Sequence, residues 1–91
     1  MDLAIEHQAA RGRFRTLVDG EACVVDYRLD GGVMVINHTE VPRRLEGRGI
    51  AAALTQAALD HAQAQGLKVN PLCSYARTYM RRHPQTQALL A

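Results

Sequence analysis

The segment of this chain best suited to ligand chemistry is Gly47-Arg48-Gly49, which opens a long alanine-rich stretch that ends at Gly66. A glycine turn at the start of a helix leaves backbone N–H groups without partners, and the helix dipole adds roughly half a positive charge there. Such a helix start suits a phosphate or a diphosphate. Arg44 and Arg48 can add charge-assisted hydrogen bonds to the same anion. The sequence therefore predicts an anion-binding site formed by the amides of about residues 45–51.

Two common nucleotide motifs do not fit this segment. A dinucleotide-binding turn needs a third glycine and an acidic residue about 20 positions further on. A Walker loop needs Gly-Lys followed by Ser or Thr, and the segment has no such triplet.

Cys73 and His38 are candidates for catalysis. Cys73 follows a short apolar segment and precedes a predicted helix, where the N-terminus favours the nucleophilic thiolate. Its alternative interpretation is a small packed side chain. His38 follows the apolar run Val33-Met34-Val35-Ile36, and it could deprotonate an amine or pair with the Cys73 thiol. It could equally be a hydrogen-bonded side chain that fixes the loop, and Glu40 is either a second base, an amine-binding group or a solvated charge.

The segments that must position these residues begin with strands predicted over residues 2–8, 13–18, 21–29 and 33–38. Asp19-Gly20 and Asp30-Gly31-Gly32 are hairpin signals, so the first four strands should be antiparallel. Arg11, Arg13 and Arg15 alternate with apolar residues and are interpreted as one polar face of the sheet.

A helix is predicted from Gly47 or Arg48 to Gln65, and the segment 39–46 before it is predicted to be a loop. Its apolar positions recur every three or four residues: Ile50, Ala53, Leu54, Ala57, Ala58, His61 and Ala62. A short fifth strand at 67–70 follows, and a crossover this long implies parallel pairing with strand four. A short helix at 74–82 stops before Pro84, and a last helical turn is predicted within 85–90. We expect one α+β domain over residues 1–91.

Composition narrows the function classes. The 91 residues are 47% hydrophobic with a net charge of +2, which is typical of a globular protein and argues against a nucleic-acid partner. No window reaches the ~18 apolar residues of a membrane span, and no secretion signal opens the chain, so we expect a cytoplasmic protein. The two cysteines predict no disulfide framework, and with the four dispersed histidines they show no metal-binding spacing.

Four blocks in this order and spacing resemble a compact subgroup of the GNAT superfamily of N-acetyltransferases, over about residues 3–85. The blocks are His38-Thr39-Glu40-Val41, Gly47-Arg48-Gly49-Ile50-Ala51, Pro71-Leu72-Cys73-Ser74-Tyr75, and Tyr79 with Arg82-His83-Pro84. The segment from Arg44 to Gly49 matches the family's acyl-CoA-binding pattern, Gln/Arg-x-x-Gly-x-Gly/Ala. Gly-x-Gly alone would be weak evidence.

The resemblance implies a GNAT-like mixed sheet in which strands four and five splay apart and admit the pantetheine arm of acetyl-CoA. Thr39 and Val41 would hold this arm through their backbone, while Gly47, Arg48, Gly49, Ile50 and Ala51 would bind the diphosphate. Some members of the subgroup have been proposed to use the cysteine found here as Cys73. The family often places a tyrosine at the position of Tyr79 to protonate the departing CoA thiolate; Tyr75 is the alternative, and either could simply be packed.

The chain departs from larger acetyltransferases in the segment that would form a wall of the acceptor site. Those enzymes usually carry one or two helices between strands one and two, and Gln8 to Arg11 leave no room for them. The implied function is an acetyl-CoA-dependent transfer to an unknown amine by a monomer or homodimer. A non-catalytic acyl-CoA sensor is the alternative, and a nucleic-acid binder using the clustered arginines is a weaker third.

Overall fold

The computed structural model describes residues 2–91, and it contains a five-stranded sheet in the order β1-β2-β3-β4-β5. The strands are β1 (Glu6–Gln8), β2 (Arg13–Val18), β3 (Glu21–Asp30), β4 (Val33–Glu40) and β5 (Lys68–Pro71), and the helices are α1 (Ile50–Ala64) and α2 (Ser74–Arg82). Strands β1 to β4 are antiparallel, and β4 and β5 are parallel. The predicted α+β fold, with its long crossover helix and short C-terminal helix, is confirmed.

Three element boundaries differ from the sequence prediction by two residues or more. β1 begins at Glu6 rather than at residue 2, and the carbonyl of Ala4 accepts a hydrogen bond from the Thr16 side chain instead of joining a strand ladder. β4 extends to Glu40, because β3 continues beside it as far as Val24. α1 begins at Ile50, because the two preceding glycines take left-handed backbone angles that no α-helix contains.

One face of the sheet, called the core face, packs against α1. It carries the inward residues Phe14, Val25, Tyr27, Met34 and Ile36, all buried. α1 covers them with Ile50, Leu54, Ala58, Leu59 and Ala62, and α2 adds Ala76, Tyr79 and Met80 to the same core. Four residues of the predicted stripe are therefore buried, whereas its other members, Ala53, Ala57 and His61, are only partly buried.

A β-bulge interrupts the pairing of β3 with β4. Tyr27 lies opposite Ile36 whereas Asp26 lies opposite His38, so Asn37 is an extra residue in β4. A bulge of this kind changes which side chains face each side of the sheet beyond it. As a result Thr39, opposite Val25, is on the core face, and His38 is on the opposite face.

Candidate functional site

Two glycines shape the start of α1. Gly47 has φ +83° and Gly49, the residue before the helix, has φ +82°. A Cβ atom added at either position would meet no heavy atom within 4 Å. Glycine is therefore favoured here by the left-handed backbone, which other residues adopt only at a cost, and not by lack of space.

The first amides of α1 are left without backbone partners. The first helical hydrogen bond runs from Ala53 N to Gly49 O at 3.0 Å. Within residues 2–91, no backbone hydrogen bond is donated by the amides from Gly47 to Ala52 outside the helix and strand ladders, and no side chain caps the helix. No acidic residue lies in the first turn. Together with the helix dipole, these donors form an electropositive site that suits an anion.

A gap opens in the sheet beside β4. The parallel pairing with β5 ends where Ile36 lies opposite Pro71, whereas β4 continues to Glu40. The chain leaves β5 through a hydrogen bond from Cys73 N to Ile36 O at 3.1 Å. Among residues 2–91, no strand therefore lies beside the edge of β4 that faces away from β3 beyond Ile36.

A single cavity of about 530 Å³ joins this gap to the start of α1. Its lining residues are Thr39, Glu40, Val41, Leu45, Glu46, Gly47, Gly49, Ile50, Ala51, Ala52 and Tyr75. This volume is in the range of small-molecule sites. Six of the predicted cofactor-binding residues thus lie on one cavity: Thr39, Val41, Gly47, Gly49, Ile50 and Ala51.

The other two predicted cofactor-binding residues, Arg44 and Arg48, do not line the cavity. Both guanidinium groups contact the β2–β3 turn, where Arg44 Nη1 and Arg48 Nη1 each lie 3.5 Å from Asp19 Oδ2. Arg44 also pairs with Glu21 and donates to the carbonyl of Asp19 at 3.4 Å. The two cations stand beside the amide site but are held by carboxylates.

Cys73 lies at the N-terminus of α2. Its Sγ accepts a hydrogen bond from Ala76 N at 3.3 Å and lies 3.4 Å from Thr39 Oγ1. The thiol is half-buried. The thiol is thus next to a cavity-lining residue and accepts an amide hydrogen bond at a helix N-terminus.

His38 lies on the face opposite to the core face, away from this thiol. Its Nε2 is 3.0 Å from Glu40 Oε1, and the side chain is 52% exposed. Nearby on the same face, Arg13 forms a two-point pair with Asp26 at 2.7 and 3.1 Å. The bulge at Asn37 explains why His38 does not contact Cys73, and no periodicity in the sequence signals that bulge.

The two tyrosines of α2 differ in their surroundings. Tyr75 lines the cavity and is 38% exposed, and burial raises the pKa of its hydroxyl. Tyr79 is buried, donates to Gln56 Oε1 and stacks on His83 with ring centroids 4.0 Å apart. Burial is the main cause that raises the pKa of the Tyr79 hydroxyl, and the neighbouring Tyr75 and Asp60 raise it further. The structure brings Tyr75, rather than Tyr79, to the cavity.

Leu45 and Glu46, which belong to the predicted range of amides 45–51, also line the cavity, and so does Ala52, to which the sequence gave no role. Ala52 lies three residues after Gly49, so a first helical turn counted from that glycine would have included it. Leu45 is fully buried in a 3-10 turn, Arg43–Leu45, that the sequence does not signal.

Two further structural findings concern metals and membranes. Within residues 2–91, no three His, Cys, Asp or Glu side chains are grouped as metal ligands would be. Neither helix of this part of the chain has the length and apolar character needed to cross a bilayer.

Comparison with known proteins agrees with this geometry. The sequence model of a family described as GCN5-related N-acetyl-transferase matches residues 13–89. Protein NATD1 of Homo sapiens is 36% identical over 90 residues, covering 96% of this chain and 80% of the relative. Protein NATD1 of Gallus gallus is also 36% identical and is covered over 82% of its length. The NMR structure of a GCN5-like protein from Staphylococcus aureus superimposes with a TM-score of 0.79 at 26% identity, covering 98% of this chain and 88% of that one.

Proposed function

The chain belongs to the GCN5-related N-acetyltransferase family, and from this premise we propose that it transfers an acetyl group from acetyl-CoA to an amine. The observation that carries the proposal is the cavity that runs from the free edge of β4 to the uncapped start of α1. One end offers backbone groups to an extended arm, and the other offers amides to a diphosphate. These are the two chemical parts of CoA that a binding site must hold.

The diphosphate would bind the amides from Gly47 to Ala51, with Arg44 and Arg48 as additional donors. The pantetheine arm would lie along β4 beside Thr39 and Val41, like an added strand. A backbone N–H of β4 directed at the thioester carbonyl would stabilise the oxyanion that develops during transfer. Removal of one such donor costs about 3 kcal/mol of transition-state stabilisation in other enzymes.

Cys73 is proposed as a covalent nucleophile. In the first step the thiolate attacks the thioester carbonyl, the bond from that carbonyl to the CoA sulfur breaks, and CoA leaves as a thiolate that takes a proton. In the second step an amine attacks the carbonyl of the acetyl-Cys73 thioester. The bond from that carbonyl to the Cys73 sulfur breaks, which regenerates the Cys73 thiolate, and the nitrogen loses a proton to give the amide. Tyr75 and Tyr79 are the candidate proton donors, and Tyr75 is favoured because it lines the cavity. Glu40 lines the cavity and is proposed to receive the amine's proton, and His38, whose Nε2 lies 3.0 Å from Glu40 Oε1, is proposed to pass that proton on to solvent.

Intact mass spectrometry after incubation with acetyl-CoA tests the covalent route. The expected result is one added acetyl group, mapped to the peptide that carries Cys73, absent from Cys73→Ala and retained in Cys23→Ala. Cys73→Ala should bind CoA as the unaltered protein does, because Cys73 does not line the cavity. If CoA binds and no adduct forms at Cys73, the covalent route is wrong and direct transfer to the amine remains.

A second candidate is a non-catalytic acyl-CoA sensor. It is favoured by the position of His38, because the partners of the Cys73 thiol are Thr39 and Ala76, and neither is a base. Under this alternative, acetyl-CoA binds but no amine accelerates the release of CoA. Measuring thiol release with a panel of primary amines separates the two functions.

A further inference from the structure

The β2–β3 turn places two carboxylates on the arginines that stand next to the amide site. Asp19 Oδ2 lies 3.5 Å from both Arg44 Nη1 and Arg48 Nη1, and Glu21 pairs with Arg44. The turn is 25 to 29 residues away in sequence, so this contact is made by the fold and not by local structure. Two positive and two negative charges cancel at the place where a negatively charged ligand is expected.

We propose that Asp19 and Glu21 act as internal competitors that occupy Arg44 and Arg48 until the phosphates of acyl-CoA displace them. The inference rests on the function proposed above. It assigns to the β2–β3 turn a part in setting the affinity for the phosphorylated portion of the ligand.

The strength of the contacts suits a displaceable pair. The four side chains are 40% to 56% exposed, and exposed ion pairs contribute at most about 1 kcal/mol and are screened by salt. A phosphate can take two parallel hydrogen bonds from one guanidinium, which makes it a stronger acceptor than the Asp19 carboxylate held at 3.5 Å, whereas the closer Glu21 carboxylate is the stronger of the two competitors for Arg44. Binding of a diphosphate would therefore replace exposed internal pairs with hydrogen bonds to a doubly bonded acceptor.

The carboxylates also act at a distance. Asp19 and Glu21 remain close to the site after displacement and repel an anion placed there, so they reduce its affinity even when the arginines have turned. Their effect must depend on ligand charge. Pantetheine, which has no phosphate, should be indifferent to them.

The test uses a double variant that carries both Asp19→Asn and Glu21→Gln. Its affinity for CoA is compared with that of the unaltered protein by calorimetric titration at low salt. Asparagine tolerates the left-handed backbone of Asp19, φ +52°, so the turn is retained. The matched control is Glu6→Gln with Asp30→Asn, which removes the same charge from exposed residues elsewhere on the sheet. We expect the Kd for CoA to fall about three- to tenfold in the test variant, to change little in the control, and to be unaltered in both for pantetheine.

Three outcomes would overturn the inference while leaving the proposed function intact. They are an unchanged or weaker CoA affinity in the test variant, an equal gain in the control, and an equal gain for pantetheine. A weaker affinity would mean that the carboxylates orient the arginines rather than compete for them. If neither the unaltered protein nor the test variant binds CoA, the proposed function fails and the inference fails with it.

Discussion

The hydroxyl of Thr39 lies 3.4 Å from the thiol of Cys73, although 34 positions separate the two residues in the chain. The contact joins the end of β4 to the start of α2 beside the cavity. Ala76 N already donates to the same sulfur, at 3.3 Å. A Cys73 thiolate could therefore accept hydrogen bonds from both an amide and the hydroxyl of Thr39.

Replacing Thr39 by Val should slow the alkylation of Cys73 by iodoacetamide about threefold at neutral pH. Loss of one hydrogen bond to a charged group costs about 1.5 kcal/mol, and roughly half of this is recovered because a thiolate that accepts fewer hydrogen bonds is more nucleophilic. Thr39→Ser, which keeps the hydroxyl, should retain the original rate. Peptide mapping measures the rate, and Cys23 serves as an internal control because burial raises the pKa of its thiol. Equal rates for the Val and Ser variants would show that the hydroxyl does not stabilise the thiolate.

Gly49→Ala should lower both stability and CoA affinity. Its φ of +82° is unfavourable for alanine by about 1–2 kcal/mol, and the first turn of α1 would shift to relieve the strain. Gly66→Ala is the matched control, since Gly66 follows the other end of α1 with φ +70° and its added Cβ also meets no neighbour. Both variants should lose a similar free energy of unfolding in urea, and only Gly49→Ala should weaken CoA binding. Equal CoA affinity in the two variants would contradict the placement of the diphosphate at this helix start.

Tyr75→Phe should lower mainly the activity, whereas Tyr79→Phe should lower mainly the stability. Tyr75→Phe should reduce CoA release from acetyl-CoA by about 10²-fold, the usual contribution of a proton donor, with little change in stability. Tyr79→Phe removes the hydrogen bond to Gln56 and should cost about 1 kcal/mol of stability with activity retained. Urea unfolding and thiol release in the presence of an amine measure the two quantities. The reverse pattern would assign the proton donor to Tyr79, as the family resemblance predicts.

Stability should fall as pH drops below about 6.5, and His7 should account for part of the loss. Burial, and then the neighbouring His61, lower the pKa of His7 from its ordinary value of 6.5. The unfolded chain therefore binds this proton at a higher pH than the folded chain does, and protonation favours unfolding until the lower, folded pKa is passed. His7 also stacks on Phe14 at 4.1 Å and contacts the Tyr27 hydroxyl at 2.6 Å. The urea midpoint at pH 5.5 should be lower than at pH 7.5.

Two variants separate this effect from the titration of other groups. His7→Gln should reduce the difference between the two midpoints. His61→Gln should reduce it by less, because it removes only the second of the two causes. If His7→Gln leaves the difference unchanged, the loss of stability at low pH comes from elsewhere in the protein.

Local sequence signals predict most of the fold. Asp19-Gly20 marks the first confirmed hairpin turn, the predicted strand 13–18 coincides with β2, and the predicted helix 74–82 coincides with α2. These features depend on a turn dipeptide, on alternation or on a following proline, all of which act over a few residues. α1 begins two or three residues later than predicted, because Gly47 and Gly49 take left-handed backbone angles.

The candidate site is less predictable because it depends on contacts between distant segments. The glycine turn and the pattern around Thr39 come from segments that line the same cavity. The ion pairs of Arg44 with Asp19 and Glu21 could not be predicted, because they depend on the position of a hairpin turn relative to a distant loop. The orientation of His38 could not be predicted either, since alternation carries no sign of the extra residue at Asn37.

That extra residue has a consequence for how the site could vary. If β4 slipped by one position so that Asn37 lay opposite Asp26, the pleat would bring His38 to the core face and turn Thr39 away from it. An imidazole would then take the place of the hydroxyl on the face that carries the thiol, with no change in the amino-acid sequence. The register of β4 against β3 thus determines whether a basic side chain lies on the same face as the Cys73 sulfur.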